Sequence, residues 1–279
     1  MFCAITGSSG VLGSYIVKNN PQIKFIKFKG DITNKKEITN WILKNNFDVF
    51  LHLAAIVPTE KVNRNYILAK KVNYDGTKNI VDALLKKKNI WFFFASSSHV
   101  YSNSSKKINE EISPQPITQY GRLKYLAEKY IINKMKKKGM NYCIGRIFSF
   151  TNFNQKNSFL IPSLYKKVMS KNKIIAFSNI NHIRDFISIS DINRAILFLL
   201  NKKFKGIYNI ASGKTVNVET IVKRICKKYN KKIIIKNFLP RSKLIADIKK
   251  IKKLGWNPID NIDDILGDYE KKKNIIKII

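Results

Sequence analysis

The chain has 279 residues, with 53 Lys and Arg against 18 Asp and Glu, which gives a formal net charge of +35. Hydrophobic residues make up 44% and aromatic residues 11%, which excludes a disordered chain and allows one large or two small domains. No stretch approaches the roughly 18 consecutive apolar residues of a membrane helix, and the first residues form a strand pattern rather than a signal peptide.

The first half of the sequence alternates short apolar runs with helical patterns, which predicts a parallel sheet flanked by helices. The predicted strands are Phe2–Thr6, Lys24–Lys29, Val49–Leu53, Ile90–Ala95 and Tyr142–Phe148. The predicted helices between them are Val11–Lys18, Lys35–Lys44, Arg64–Leu85 and Tyr120–Lys138.

After residue 150 the pattern becomes mainly helical. The predicted strands there are Lys173–Phe177 and Ile207–Ile210, and the predicted helices are Phe159–Met169, Asp191–Leu200, Val218–Lys228, Ser242–Lys253 and Asn261–Lys272. We therefore expect an α/β fold, with a doubly wound parallel sheet in residues 1–148 that binds a nucleotide. Residues 185–204 are expected to pack back on that domain, and residues 149–279 to form a smaller, mostly helical substrate lobe.

Three glycines separate the first strand from the first helix. Gly7, Gly10 and Gly13 are spaced three residues apart, and such a turn lets backbone amides approach a pyrophosphate at the positive end of a helix. An ordinary glycine turn is the alternative, but its position between a clear strand and a clear helix favours dinucleotide binding.

Tyr120 and Lys124 lie four residues apart in a predicted helix, so they share one face. A neighbouring cation lowers the pKa of a phenol, which would let Tyr120 exchange a proton with a sugar hydroxyl or a ketone while hydride moves. Upstream, three serines, Ser96–Ser98, end a buried strand. A hydroxyl there can hydrogen-bond a reacting oxygen, although serines at a strand end can also simply cap a turn.

Together these motifs resemble the extended short-chain dehydrogenases/reductases, the NAD(P)-dependent epimerase/dehydratase group that acts on nucleotide sugars. Besides the glycine turn, the resemblance rests on the segments Gly30–Thr33 (GDIT), His52–Ala55 (HLAA), Val72–Thr77 (VNYDGT), Ser96–Tyr101 (SSSHVY), Tyr120–Lys124 (YGRLK), Arg184–Ile187 (RDFI) and Lys253–Pro258 (KLGWNP). It implies a Rossmann-type fold, NAD or NADP as cofactor and a nucleotide sugar as substrate.

The resemblance also implies roles for single residues. Tyr120 would be the acid/base and Lys124 its partner, Ser97 would carry the hydroxyl, and Asn73 would support them. Besides Tyr120 and Lys124, the implied cofactor-binding residues are Gly7, Gly10, Val11, Leu12, Gly13, Asp31, Ile32, Leu53, Ala54, Ala55 and Phe148. The implied substrate-binding residues are Ser97, Ser98, Arg184 and Arg241, of which the two arginines would grip the diphosphate unless they are only surface charges.

Departures from the family pattern limit which cofactor and which reaction the sequence predicts. The acidic residue that usually holds an adenosine 2′-hydroxyl is missing, and Lys27 and Lys29 stand there instead, which favours NADP slightly. Ser98 and His99 replace the acidic pair of the 4,6-dehydratases, which argues against dehydration. Ser149 replaces an Asn common in 4-epimerases.

The sequence therefore predicts hydride transfer at a ring carbon of a nucleotide-activated sugar, at C4, by a 4-ketoreductase rather than a 4-epimerase. The segments 30–34 and 241–247 resemble 4-ketoreductases of the dTDP-4-dehydrorhamnose reductase type more than UDP-glucose 4-epimerases. No two of the three histidines have metal-ligand spacing, so no metal is expected. The alternative is a protein of this fold without catalysis that senses nucleotides or binds RNA.

The positive charge is spread along the chain, is mostly Lys, and falls at predicted helix ends and turns. This distribution favours a solvated basic surface over a specific nucleic-acid site, and no membrane partner is expected, although an anionic partner stays open. A homodimer is compatible with the sequence. Cys3, Cys143 and Cys226 lie among apolar neighbours, which predicts buried free thiols in a cytoplasmic protein.

Overall fold

The computed structural model describes residues 1–57 and 59–276. It forms two compact units. The first unit comprises Met1–Ser102, Glu110–Ile147 and Ile192–Ile210, and the second comprises Asn103–Asn109, Phe148–Asp191 and the described part of Ala211–Ile279.

The strands and helices are numbered in chain order. The strands are β1 (Phe2–Thr6), β2 (Lys24–Lys27), β3 (Val49–His52), β4 (Trp91–Ser97), β5 (Asn141–Ile147), β6 (Ser149–Thr151), β7 (Ile174–Ser178), β8 (Ile183–Arg184), β9 (Phe186–Ser188), β10 (Gly206–Ile210), β11 (Val216–Asn217), β12 (Lys232–Lys236) and β13 (Lys243–Leu244). The α-helices are α1 (Val11–Asn19), α2 (Lys35–Lys44), α3 (Thr59–Arg64), α4 (Tyr66–Lys70), α5 (Gly76–Leu84), α6 (Gln119–Lys137), α7 (Leu160–Val168), α8 (Ile189–Asn201), α9 (Val218–Lys228), α10 (Lys249–Lys253) and α11 (Ile262–Ile276).

The first unit is built on a parallel sheet with the strand order β10-β5-β4-β3-β1-β2. Every residue of β3 and β4 is buried, because helices cover both faces of a parallel sheet and its strands are then apolar throughout. The predicted doubly wound α/β fold is confirmed. β4 continues through Ser96 and Ser97, two residues beyond its predicted end.

The single helix predicted over Arg64–Leu85 is wrong. The structure divides this segment into the end of α3, then α4, a π-helix at Lys71–Asp75, and α5. Asn65 interrupts the helix because its side chain accepts a hydrogen bond from the Leu68 backbone N–H at 2.9 Å and so starts a new helix.

The second unit contains α7, α9, α10 and α11, and it also carries short strands that pair as β11-β8-β13, β12-β7 and β6-β9. The helix predicted over Ser242–Lys253 is wrong in its first half, which contains strand β13. Helix α10 starts only at Lys249, where the Asp247 carboxylate accepts a hydrogen bond from the Lys249 backbone N–H at 2.8 Å. Strand β12 was not predicted.

The unit boundaries differ from the predicted ones at three places. Residues 103–109 and Phe148 belong to the second unit, and the segment that returns to the first unit is Ile192–Ile210 rather than residues 185–204. This segment ends in β10, which pairs with β5 at the edge of the sheet. The assignment of cofactor to one unit and substrate to the other stays a prediction.

Several other properties follow from the described residues. The three cysteines are free and buried, as predicted. Within residues 1–57 and 59–276, no helix is long and apolar enough to cross a membrane. The same residues contain no group of three or more His, Cys, Asp or Glu side chains that could hold a metal ion.

Candidate active site

The glycine turn after β1 depends on close backbone contacts. Gly7 has a φ of +75°, and a Cβ there would lie 2.5 Å from the Ala54 nitrogen. A Cβ at Gly13 would lie 2.1 Å from the Gly7 oxygen, so both positions need glycine. Gly10 is exposed and precedes α1 without a side-chain cap. The turn therefore leaves backbone amides open at a helix N-terminus, which fits a pyrophosphate.

The other predicted cofactor residues of the first unit lie at neighbouring strand ends. Half-buried side chains follow β1 and β3 at Val11, Leu12, Leu53, Ala54 and Ala55. Asp31 is exposed, and its carboxylate accepts hydrogen bonds from the backbone N–H and the hydroxyl of Thr33, each at 2.8 Å. Ile32 is only 6% exposed and belongs to the core. Phe148 is buried in the second unit.

The end of β2 carries charges of both signs. Lys27 and Lys29 are exposed. Glu37 was not predicted to lie at this loop. One oxygen of its carboxylate lies so close to Gly30 that a Cβ added to Gly30 would be only 1.6 Å from it. Its other oxygen accepts a hydrogen bond from the Asp31 backbone N–H at 3.3 Å. A carboxylate thus stands beside the loop where the sequence pattern lacked one.

Tyr120 lies in the first turn of α6. The Thr118 hydroxyl caps this helix by accepting a hydrogen bond from the Gly121 backbone N–H at 3.0 Å. A Cβ at Gly121 would lie 2.0 Å from the His99 carbonyl oxygen, so the glycine lets the helix start directly against the turn that follows β4. The sequence signal for this approach is the glycine directly after the tyrosine.

The phenol of Tyr120 is buried, with the Ser97 hydroxyl beside it. Burial raises its pKa to about 12, and the Ser97 hydroxyl lowers it less than burial raises it. The prediction that a neighbouring cation gives Tyr120 a depressed pKa is therefore wrong in this structure, because desolvation is the larger effect. Tyr120 is a neutral phenol near pH 7.

Lys124 is 2% exposed. Its ammonium donates a hydrogen bond to the Ala95 carbonyl oxygen at 2.8 Å and lies 4.6 Å from the centroid of the Phe94 ring. Burial lowers its pKa to about 7, while the charge of Glu128 raises it.

The Ser97 hydroxyl accepts a hydrogen bond from the His99 backbone N–H at 3.2 Å and so caps the turn after β4. Its role as the hydroxyl that bonds a reacting oxygen stays a prediction. Ser98 is 2% exposed, and its role as a substrate-binding residue stays a prediction.

Asn73 lies in the π-helix, and its side chain makes hydrogen bonds to the backbone of the chain that follows β3. Its side chain accepts a hydrogen bond from the Ile56 backbone N–H at 2.7 Å and donates one to the Ile56 carbonyl at 2.9 Å. Asn73 thereby fixes the chain that leaves β3. Its role in support of the catalytic residues stays a prediction.

His52 is a second buried side chain that connects neighbouring elements by hydrogen bonds, and the sequence did not predict it as part of the site. Its Nδ1 lies 2.7 Å from the Thr6 hydroxyl and its Nε2 lies 2.9 Å from the Thr77 hydroxyl. Thr77 donates its proton to the Asn73 carbonyl at 2.9 Å, so Nε2 must carry the ring proton. Burial, followed by the charge of Lys124, lowers the pKa of His52 to about 3. The neutral ring therefore connects β1, β3 and the helices around Asn73.

The two predicted diphosphate-binding arginines lie in the second unit. The Arg184 guanidinium donates hydrogen bonds to the carbonyl oxygens of Ile183 and Ser242 at 2.8 and 3.1 Å, and to the Ser242 hydroxyl at 2.8 Å. Burial lowers its pKa. Arg241 is exposed and precedes β13, which pairs with the strand that contains Arg184. Arg184 thus lies in this small sheet, and Arg241 lies just before one of its strands.

Within the first unit, the structure brings Ser97, Tyr120 and Lys124 together at the carboxyl end of β4. The glycine turn lies at the carboxyl end of β1 in the same sheet. A neutral phenol paired with a serine hydroxyl can give a proton to an oxygen that gains negative charge.

Comparison with known proteins agrees with this geometry. Residues 3–211 match the NAD dependent epimerase/dehydratase family. A putative UDP-glucose 4-epimerase of Methanocaldococcus jannaschii is 30% identical, over 91% of this chain and 92% of that protein. GDP-6-deoxy-D-talose 4-dehydrogenase of Aggregatibacter actinomycetemcomitans is 28% identical, over 80% of this chain and 78% of that protein.

A solved structure, RMD from Pseudomonas aeruginosa complexed with NADPH, has the same fold. Its TM-score is 0.87 at 21% identity, with 97% of this chain and 99% of that chain covered. The match over residues 3–211 covers most of the sequence. The chain belongs to the NAD dependent epimerase/dehydratase family.

Proposed function

We propose that this enzyme is an NAD(P)-dependent oxidoreductase that acts on a nucleotide-activated sugar and moves a hydride at a ring carbon, C4. We further propose that it works as a 4-ketoreductase rather than a 4-epimerase. The observation that carries the proposal is the buried phenol of Tyr120 beside the Ser97 hydroxyl, with the ammonium of Lys124 one helical turn away.

The residues of this chain would divide the work as follows. When bound, the nicotinamide cofactor supplies the hydride. Tyr120 donates its phenolic proton to the sugar oxygen as the carbonyl is reduced, and the Ser97 hydroxyl hydrogen-bonds the same oxygen. The ammonium of Lys124 favours the phenolate that Tyr120 becomes after it has given up the proton.

The cofactor fits the residues that the structure describes. Gly7 and Gly13 leave no room for side chains, and the open amides before α1 suit a pyrophosphate. We propose NADP as the preferred cofactor, because Lys27 and Lys29 would attract a 2′-phosphate. Glu37 would oppose that attraction, which makes the preference a small one.

A Tyr120 pKa of about 12 keeps the phenol protonated near pH 7, so it can serve as the acid when a ketone is reduced. The same group takes the proton back in the reverse reaction, so the choice of a reductase rests on other residues. Ser149 and the Ser98–His99 pair support a reductase, since epimerases and dehydratases of this family carry Asn and acidic residues there. One relative is named a 4-dehydrogenase and another a putative 4-epimerase, and they are 28% and 30% identical to this chain.

For the substrate, we propose that Arg184 and Arg241 bind the diphosphate. Three of the N–H groups of Arg184 are used on Ile183 and Ser242, which holds its planar guanidinium in one orientation. A fixed guanidinium loses little freedom when it binds an anion.

The test is a comparison of purified protein with 4-keto and 4-hydroxy nucleotide sugars carrying UDP, GDP or dTDP. A reductase consumes one NADPH or NADH for each 4-keto sugar reduced, which the nicotinamide absorbance reports. A 4-epimerase instead interconverts 4-hydroxy sugars with no net change in that absorbance. Epimerisation without cofactor consumption would refute the ketoreductase assignment, and turnover by neither route, with retained fold, would refute the proposed function.

A further inference from the structure

Helix α6 presents three polar side chains at four-residue intervals, Tyr120, Lys124 and Glu128, and all three are buried. Each lies against one of three successive residues at the end of β4. The Tyr120 phenol lies beside the Ser97 hydroxyl, and the Lys124 ammonium donates to the Ala95 carbonyl at 2.8 Å. The Ser96 hydroxyl donates to the Glu128 carboxylate. Residues 95–97 therefore contact α6 from Tyr120 to Glu128, not only at its first turn.

Glu128 is anchored from a third element as well. Arg146 in β5 donates hydrogen bonds to its two carboxylate oxygens, with Nη2 at 2.7 Å and Nε at 3.1 and 3.2 Å. The two side chains are 0% and 3% exposed. Arg146 also donates to the Tyr101 hydroxyl at 2.8 Å. The carboxylate thus has a hydrogen-bond partner on each oxygen and is fixed by β4 and β5 together.

A buried ion pair is weak evidence for stability, because an apolar pair of similar size often stabilises a fold as well or better. The position of Glu128 gives it another use. It stands one helical turn beyond Lys124, an ammonium whose pKa burial lowers. Burial lowers the Lys124 pKa to about 7, and Glu128 is the neighbouring charge that raises it.

The other ionisable groups near this pair do not supply that charge. His52 is neutral because its pKa is about 3, and Tyr120 is a neutral phenol. Arg146 is cationic and bonds Glu128 directly, while Tyr101 and Glu110 lie beside Arg146.

We propose that Glu128 is a positioning residue for the proposed active site: it fixes α6 against the end of β4 and places a carboxylate one helical turn from the Lys124 ammonium, where its negative charge favours the charged amine. This inference rests on the proposed function, in which Lys124 assists Tyr120.

The experiment follows the Lys124 amine directly. Lysine labelled with a stable isotope beside the amine gives a resonance that titrates near pH 7, and its loss in Lys124→Met assigns it. In Glu128→Gln the midpoint should fall by about one pH unit or more, the shift typical of losing a nearby opposite charge. Ser96→Ala is the matched control, because it removes a bond to Glu128 without removing charge, and its midpoint should stay near that of the wild type.

Glu128→Gln leaves the guanidinium of Arg146 without its carboxylate, so a double variant, Glu128→Met with Arg146→Met, is measured beside it. An unchanged midpoint in either folded variant overturns the proposal. Failure of both variants to fold also overturns it, since Glu128 would then serve stability. The titration needs no substrate, so an enzyme without turnover would refute the proposed function and leave this result standing. Where turnover is seen, the alkaline limb of kcat/KM should move to lower pH together with the midpoint.

Discussion

At the scale of residues, burial decides the protonation of the site. It raises the pKa of Tyr120 and lowers those of Lys124 and His52, so each side chain is shifted towards its neutral form. The sequence could show which residues share a helix face, because spacing determines that. It could not show the pKa of Tyr120, since that depends on desolvation by residues distant in the chain.

Tyr120→Phe tests the proton donor. The ring still fits its buried place but carries no proton to give, so turnover should fall about 100-fold or more while cofactor binding is kept. Steady-state kinetics with cofactor titration measures both quantities. Turnover near the wild-type value would exclude Tyr120 as the acid.

Changing Lys27 and Lys29 together to Gln tests the preference for NADP. Loss of exposed charge contacts should weaken NADP binding about fivefold, which corresponds to roughly 1 kcal/mol, and leave NAD binding nearly unaltered. Glu37→Gln is the opposite control, since it should strengthen NADP binding. Equal losses for NAD and NADP in the lysine variant would show that these lysines are only solvated surface.

His52 should make the fold sensitive to acid. Its pKa in the folded protein is about 3, below the ordinary value of 6.5, so between these values the unfolded chain binds a proton that the folded chain does not. The stability it contributes is therefore complete above pH 6.5 and is lost as pH falls towards 3, by at most about 1.4 kcal/mol per pH unit. Urea unfolding from pH 7 to 4 should show a shallower slope in His52→Gln than in the wild type. Equal slopes in the two proteins would contradict the assignment.

At the scale of elements, the sequence predicted the parallel sheet and the main helices because their apolar periods are strong. It failed where single polar side chains redirect the backbone. Asn65 divides a predicted helix by capping a new one, and Asp247 delays the start of α10. Such bonds depend on local competition that apolar periodicity does not record. For the candidate site, the sequence found Ser97, Tyr120 and Lys124 but missed Glu37, Gly121, Glu128 and His52 as structural parts.

Gly121 makes a prediction about α6. Gly121→Ala places a Cβ 2.0 Å from the His99 carbonyl oxygen unless the backbone moves, so the start of α6 must shift away from the turn after β4. Because Tyr120 is adjacent, kcat should fall at least tenfold, since a displacement of about 1 Å can cost far more than that. Gly139→Ala is the control for an added Cβ that meets no neighbour, because no atom lies within 4 Å of that position. The two glycines differ in backbone conformation, since Gly139 has a φ of +65°. Wild-type kcat in Gly121→Ala would show that the close approach has no role in catalysis.

At the scale of the whole molecule, the net charge of +35 allows two interpretations: a basic surface that contacts only solvent, or one that binds an anionic partner. The second unit has a cavity of about 510 Å³ whose lining includes Lys107, Lys214, Lys249 and Lys252. Lysines alone attract any polyanion, whereas a nucleotide sugar would need the oriented guanidinium of Arg184.

We therefore expect RNA or DNA binding to be independent of sequence and to disappear largely as salt rises from about 50 to 200 mM. It should weaken in Lys249→Gln/Lys252→Gln and survive Arg184→Ala, while nucleotide-sugar binding should show the reverse. Salt titrations of both ligands on the wild type and these variants give the comparison. Tight nucleic-acid binding at physiological salt that NAD(P) competes away would instead support the RNA-binding alternative.

The return of the chain to its first sheet has a consequence for how the protein is made. Strand β10 pairs with β5 from Gly206 opposite Cys143 to Ile210 opposite Ile147, yet the ribosome delivers it only after the whole of Phe148–Asp191. Until then the nascent β5 has an unpaired edge, and such edges associate with other chains. The parts of the first unit are therefore adjacent in the fold but are synthesised at different times. The unpaired edge of β5 stays open to aggregation for as long as the intervening segment is being translated.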